Sequence, residues 1–373
     1  MTEHPTSRAR QLVVGTVTSI AVAIATIALL EGVASAYLFA RDLRSNTAPR
    51  TLYRPHTVHD TLLGWVNTPN TTSQNEFGPG ISFNTDAQGF RASRASRQAD
   101  SAARMTLVCS GDSYTVGLGV QDDDSWCALL QRRFSAVRSL NMGQAEYGLD
   151  QSYLWYRRDG LRTPRQVHLF TLTEPQFERS VGDDVGGRFK PYMSVQAGQL
   201  AVHGVPVRPQ SSRSLQQAGS SRLVEDLRVV QLARKVPAFD RARKLDRGED
   251  ERVPLFETII QELAGVHQRQ GSQLVVVYLP TQVSPKSVHG DDRRMRLSAF
   301  ARRRGIRFVD LTPGFRALSA DSSDMFFFSR SSPGVSSSLY GQYSAFGHAW
   351  IARTIGDSLA TLPELVIARA TDK

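Results

Sequence analysis

The chain has 373 residues, a hydrophobic fraction of 40% and a formal net charge of +10, with an isoelectric point near 9.9. That length holds one large domain with appendages, and the apolar content suffices for a proper core. The charge favours anionic surroundings such as lipid headgroups or acidic polymers. A nucleic-acid reading finds no zinc-finger spacing, helix-turn-helix signal or aromatic-interleaved basic strand, so the scattered arginines read as a solvated basic surface.

Residues 1–10 form a short polar tail containing Arg8 and Arg10. Residues 12–30 carry no charge, and nineteen residues at a helical rise of about 1.5 Å span roughly 28 Å, close to a bilayer's hydrocarbon thickness. Residues 11–40 are therefore expected to be a transmembrane anchor with a juxtamembrane stretch. Ala34-Ser35-Ala36 has the A-x-A shape and keeps a cleaved signal peptide as the rival reading. The flanking Lys/Arg count is balanced. A short tail left inside makes the anchor single-pass in the cell membrane, with the main domain on the extracytoplasmic side. Residues 41–100 are polar, with isolated signals at Leu63-Gly64-Trp65, Pro69-Asn70, Asn84 and Gly89-Phe90-Arg91.

The chain is organised around residues 107–120, LVCSGDSYTVGLGV. An apolar strand ends at Cys109 and opens into Ser110-Gly111-Asp112-Ser113, and a helical pattern follows from Ser125. A strand feeding a tight turn presents a side chain at the carboxyl edge of a sheet, where open α/β sheets bind ligands. A P-loop is excluded because no Lys follows Gly117 or Gly119, and a dinucleotide fingerprint lacks its third Gly. A nucleophilic serine, Ser113, remains. Cys109 and Cys127 lack metal-ligand spacing and read as buried thiols. Spacing leaves open a disulfide between them in an oxidising compartment.

The longer pattern Gly111-Asp112-Ser113-Tyr114-Thr115-x-Gly117-x-Gly119-Val120 closely resembles the first block of the SGNH, or GDSL, hydrolases. The signals in 41–100 are similar to the leader of that family's membrane-anchored branch, which packs against the catalytic domain. Asn141, Gly143, Tyr147 and Gly148 match the second block. The resemblance makes Gly148 an oxyanion donor through its N–H and places Gly111, Asp112, Asn141 and Gly143 at the site.

Downstream, residues 139–143 read as a second strand, 150–158 as a helix and 167–172 as a buried third strand. Residues 181–251 break the rhythm and read as an insertion over or beside the site, either a lid or partner surface or a loop with one packing helix. Residues 222–235 supply its apolar helical spacing. A helix over 254–268, a continuous apolar strand over 273–279, a helix over 291–303, a strand over 306–311 and a closing helix over 345–359 complete the pattern. Alternating strands and helices predict an α/β, three-layer, doubly wound parallel sheet of flavodoxin-like order. The resemblance extends this domain over 101–373.

A serine hydroxyl needs a base to take its proton and donors aimed at the developing oxyanion. In the SGNH family these come from an Asn in the third block and an Asp and a His in the last. Here the third block reads Glu174-Pro175-Gln176-Phe177-Glu178-Arg179, so Pro175 stands where the oxyanion Asn is expected and Gln176 is the neighbouring candidate. The last reads Tyr340-Gly341-Gln342-Tyr343-Ser344-Ala345-Phe346-Gly347-His348. Tyr340 replaces the acid and Gln342 the base, and an amide cannot act as a base near neutral pH. His348, His168, His203 and His289 are the imidazoles weighed as substitutes. The resemblance implies an O-acyl ester hydrolase of impaired activity, or a binding module on the same fold. Its ligand is an acylated small molecule or carbohydrate, with no cofactor or metal and no nucleic-acid partner.

Overall fold

The structure, a computed structural model, describes residues 7–44, 56–98, 103, 105–134, 137–163, 166–209, 249–282, 288–329, 332, 336–362 and 365. The chain divides into two units, 1–51 with 210–249, and 52–209 with 250–373.

In the first unit, helix α1 (Ser7–Arg44) is continuous. Its segment Val14–Tyr37 has a mean hydropathy of 2.0 over its most apolar window, and it is long and apolar enough to cross a membrane. The helix runs on past Glu31, where the sequence reading placed the end of the apolar run. One carboxylate does not stop a helix, since Glu is a good helix former, and the single Gly32 after it costs only about 1 kcal/mol.

The second unit is built on a five-stranded, all-parallel sheet: β5 (Met105–Gly111), β6 (Val137–Gly143), β7 (Gln166–Leu172), β12 (Gln273–Tyr278) and β13 (Arg307–Asp310). The order is β13-β12-β7-β5-β6. The chain enters at β5, adds β6 on one side and then crosses back to β7 on the other, so β5 is the topological switch point. Every residue of β7 is buried, as a strand covered on both faces requires.

One face packs against α5 (Leu149–Asp159), α7 (Glu249–Gln270) and α8 (Val288–Arg303), joining Val108, Met142, Phe170 and Val276 to Trp155, Leu263 and Leu297. The other packs against α4 (Trp126–Arg133) and α11 (Ala345–Leu359), joining Leu107, Leu169 and Val275 to Leu130 and Ile351. The expected doubly wound α/β architecture is present. Cys109 and Cys127 form a disulfide between β5 and α4, where the sequence reading favoured free thiols. Their 18-residue separation says nothing about the sheet-to-helix approach that brings them together.

Ahead of the sheet, residues 56–98 fold into two hairpins, β1 (Thr57–Asp60) with β2 (Gly64–Asn67) and β3 (Thr72–Gln74) with β4 (Ser82–Asn84). Buried Trp65 donates its Nε1–H to Ala145 O at 3.0 Å, and Tyr147 Oη donates to Trp65 O. Of the expected insertion, 181–209 is also hairpins, β8 (Asp184–Val185) with β9 (Arg188–Phe189) and β10 (Tyr192–Gln196) with β11 (Gln199–His203), and 249–251 already belong to α7. Strands of two and five residues are too short for alternation to show in the sequence. Their turns use Gly186, Gly187 and Gly198 at positive φ. The helix expected over 222–235 lies outside the described residues.

Candidate functional site

Strand β5 delivers Gly111 to the carboxyl edge of the sheet, and Asp112 caps a single-turn helix, α3 (Ser113–Val116), by accepting from Tyr114 N at 3.1 Å. Two glycines allow this turn to sit so close to the sheet. A Cβ on Gly111 would lie 1.9 Å from Thr171 Oγ1, and one on Gly143 would lie 2.1 Å from Val116 N. Asn141 ties the same helix down, donating Nδ2–H to Thr115 O at 3.0 Å while its Oδ1 accepts from Gly143 N at 3.0 Å. Gly111, Asn141 and Gly143 thus shape the turn.

Asp112 is fully buried and accepts from Thr173 Oγ1 at 2.9 Å and Arg179 Nη1 at 3.0 Å. Burial pushes its carboxyl above the ordinary carboxylate range, against the opposing pull of the Arg179 guanidinium. Arg179 also donates to Tyr147 O at 3.4 Å. It therefore links the loop after β7 to the loop after β6 across the switch point.

Ser113 is 3% exposed, and its Oγ is buried without a hydrogen-bond partner. Its chain neighbour Tyr114 packs on Tyr343, the chain neighbour of Gln342, with ring centroids 4.8 Å apart. Gln342 is half-buried, and its Oε1 is likewise buried without a partner. Tyr340 is 36% exposed. The segment before the last helix therefore does reach the serine turn, and it brings an amide and a phenol in place of an imidazole and a carboxylate.

The oxyanion candidates are engaged in helix caps. Gly148 is the N-cap of α5, and its N–H donates to Gln151 Oε1 at 3.2 Å. Pro175 occupies the first turn of α6 (Glu174–Arg179). Gln176 does not offer its amide to Ser113. Its Oε1 accepts from Thr173 N at 2.9 Å, and its Nε2–H donates to Ser152 Oγ at 3.4 Å.

No described imidazole hydrogen-bonds Ser113. His348 lies inside α11, accepts at Nδ1 from Trp126 N at 3.2 Å, and is driven down to about 3 by burial and by Arg91. His168 is buried in β7, with Nε2 2.5 Å from Ser110 Oγ and Nδ1 3.0 Å from His267 Nε2. Burial, then His267, holds it well below the usual imidazole range. His203 sits in β11, 2.8 Å from Ser194 Oγ. The side chain of His289 lies outside the described residues. An imidazole that the sequence reading passed over is His56, buried beside Phe77 and Phe83 with Nδ1 2.5 Å from Glu76 Oε1. His56 lies in a polar leader whose two histidines, His56 and His59, show no spacing signal that would have flagged it. Among the described residues no cluster of His, Cys, Asp and Glu is placed to hold a metal ion.

No protein-family model matches the chain, and no curated protein sequence is similar to it. Solved structures similar to it include a lipolytic G-D-S-L family protein from Desulfitobacterium hafniense DCB-2, 13% identical, covering 68% of this chain and 98% of that one, with a TM-score of 0.38. Another is a lipolytic G-D-S-L family member from Veillonella parvula DSM 2008, 13% identical, covering 69% and 100%, with a TM-score of 0.37. The acetyl xylan esterase AlAXEase is 12% identical, covering 68% and 99%, with a TM-score of 0.39. These likenesses are distant, and strand order and direction carry the fold.

Proposed function

We propose that this chain is a membrane-anchored, SGNH-type ester hydrolase domain that receives O-acyl esters of a small molecule or carbohydrate at Ser113 and turns them over slowly. The observation that supports the slow turnover is the Ser113 hydroxyl, buried without a hydrogen-bond partner on a turn whose Tyr114 packs against Tyr343, the chain neighbour of Gln342. A positioned acid–base residue contributes roughly 10²–10⁴-fold and one oxyanion donor about 10²–10³-fold. Such losses are not additive, yet a site lacking both retains only weak hydrolysis. Helix α1 supports the anchor, and the Cys109–Cys127 disulfide suits an extracytoplasmic, oxidising location.

The test is turnover of 4-nitrophenyl acetate by the full chain in detergent. A slow rate is expected that disappears in Ser113→Ala and rises by about 10²-fold or more in Gln342→His with Tyr340→Asp. Equal rates in the parent and Ser113→Ala would sink the reading.

A second reading, a binding module without turnover, is favoured by the capping of the Gly148 N–H and the Gln176 amide. It predicts that an alkyl fluorophosphonate leaves Ser113 unlabelled while an acylated saccharide still binds.

A further inference from the structure

We infer that Arg91, contributed by the segment ahead of the sheet, is the positioning residue for Ser113. This rests on Ser113 being the reactive group of the site.

Helix α3 has four residues, far too few to hold its own geometry in isolation. Its C-terminal carbonyls lack intrahelical partners, as at any helix end. Arg91 supplies them. Its Nη1 donates to Val116 O at 2.8 Å and to Gly117 O, and its Nη2 donates to Val120 O at 2.6 Å and to Ser82 O at 3.2 Å. Its Nε donates to Asp122 Oδ1 at 2.9 Å. A guanidinium has five N–H donors, and this one makes five contacts, three of them to the loop that Ser113 opens.

The anchorage on the other side is equally specific. Asp122 also accepts from Asn84 N at 3.1 Å, Asn84 Nδ2 at 2.5 Å and Ser82 Oγ at 2.9 Å. The Arg91 backbone N–H donates to Asn141 O at 3.0 Å, the same Asn whose side chain holds Thr115 O. Arg91 is 3% exposed. A buried ion pair is by itself weak grounds for a role beyond stability. Here, though, three of the five partners of the guanidinium are carbonyls of the one loop that Ser113 opens, Val116, Gly117 and Val120. A Lys at this place keeps the charge against Asp122 but is a point donor and cannot span the three carbonyls.

Amide hydrogen exchange on the full chain in detergent tests this, comparing the parent with Arg91→Lys and Arg91→Met. Activity on 4-nitrophenyl acetate is measured in parallel. In Arg91→Lys the peptide covering 110–124 is expected to exchange about tenfold faster or more, while peptides from β7 and β12 keep the parent's protection. Ser113-dependent kcat is expected to fall about 10- to 100-fold with KM within about twofold, the signature of a displaced reacting group. Unchanged exchange in 110–124 in Arg91→Lys, or an equal rise in β7 and β12, overturns the proposal. If the parent shows no Ser113-dependent turnover, the ester reading fails, and the exchange pattern still decides the role of Arg91.

Discussion

Three buried imidazoles make this fold sensitive to acid. His348 is lowered to about 3 and His267 to about 4 from an ordinary 6.5, in both cases chiefly by burial, and His168 moves the same way. A depressed folded-state value means that the unfolded chain binds more protons below pH 6.5. Stability is therefore complete above that pH and falls as pH drops toward the folded values. At pH 4.5 the linkage amounts to a few kcal/mol for His348 and His267 together, on the order of 2–3 kcal/mol each. That compares with a typical total of about 5–15 kcal/mol. Asp112 and Asp86, whose carboxyls burial pushes upward, act with the opposite sign and offset part of this at the acid end. Urea unfolding of the full chain in detergent at pH 7.5, 6.0 and 4.5 is expected to show a steep loss below pH 6.5. The double variant His348→Gln, His267→Gln is expected to be weaker at pH 7.5 but to lose much less on acidification. An identical pH slope in parent and double variant would refute the burial argument.

Reduction of the Cys109–Cys127 bond, or Cys109→Ser with Cys127→Ser, is expected to cost about 3 kcal/mol from the 18-residue separation it closes. A melting temperature indifferent to reductant would contradict that. Gly143→Ala forces a methyl against Val116 N and is expected to destabilise by about 1–3 kcal/mol, with faster amide exchange in α3 as the specific sign. Lys190 is fully buried, and its Nζ donates to Asp150 Oδ2 and Pro191 O, each at 2.6 Å. Lys190→Met is expected to cost about 3–5 kcal/mol, and adding Asp150→Leu should recover much of it. Chemical denaturation of the single and double variants reads the difference.

The sheet was legible because parallel strands buried on both faces are written as unbroken apolar runs. Residues 167–172 and 273–279 anticipate β7 and β12 almost to the residue. The serine turn was legible because glycine alone fits where Gly111 and Gly143 sit. The hairpins of 56–98 and 181–209 were not. Their strands are short, and their cores are made with residues distant in sequence, as when Arg188 stacks on Trp65 with its guanidinium 3.9 Å from the ring centroid. The fate of the oxyanion candidates was also hidden. Whether a Gly N–H or a Gln amide faces a cleft or closes a cap depends on the residue three positions away: Gln151 for Gly148, and Thr173 for Gln176. Both roles use the same letters.

Ser113 Oγ and Gln342 Oε1 are buried polar atoms without partners, on segments whose tyrosines pack together. Leaving such an atom unpaired costs about 1–3 kcal/mol. One is a hydroxyl that donates and accepts, and the other is a carbonyl that only accepts. In the ester-binding reading proposed above, an ester carbonyl would accept from the Ser113 hydroxyl and a ligand hydroxyl would donate to Gln342 Oε1, each recovering part of that cost. That recovery requires no proton transfer.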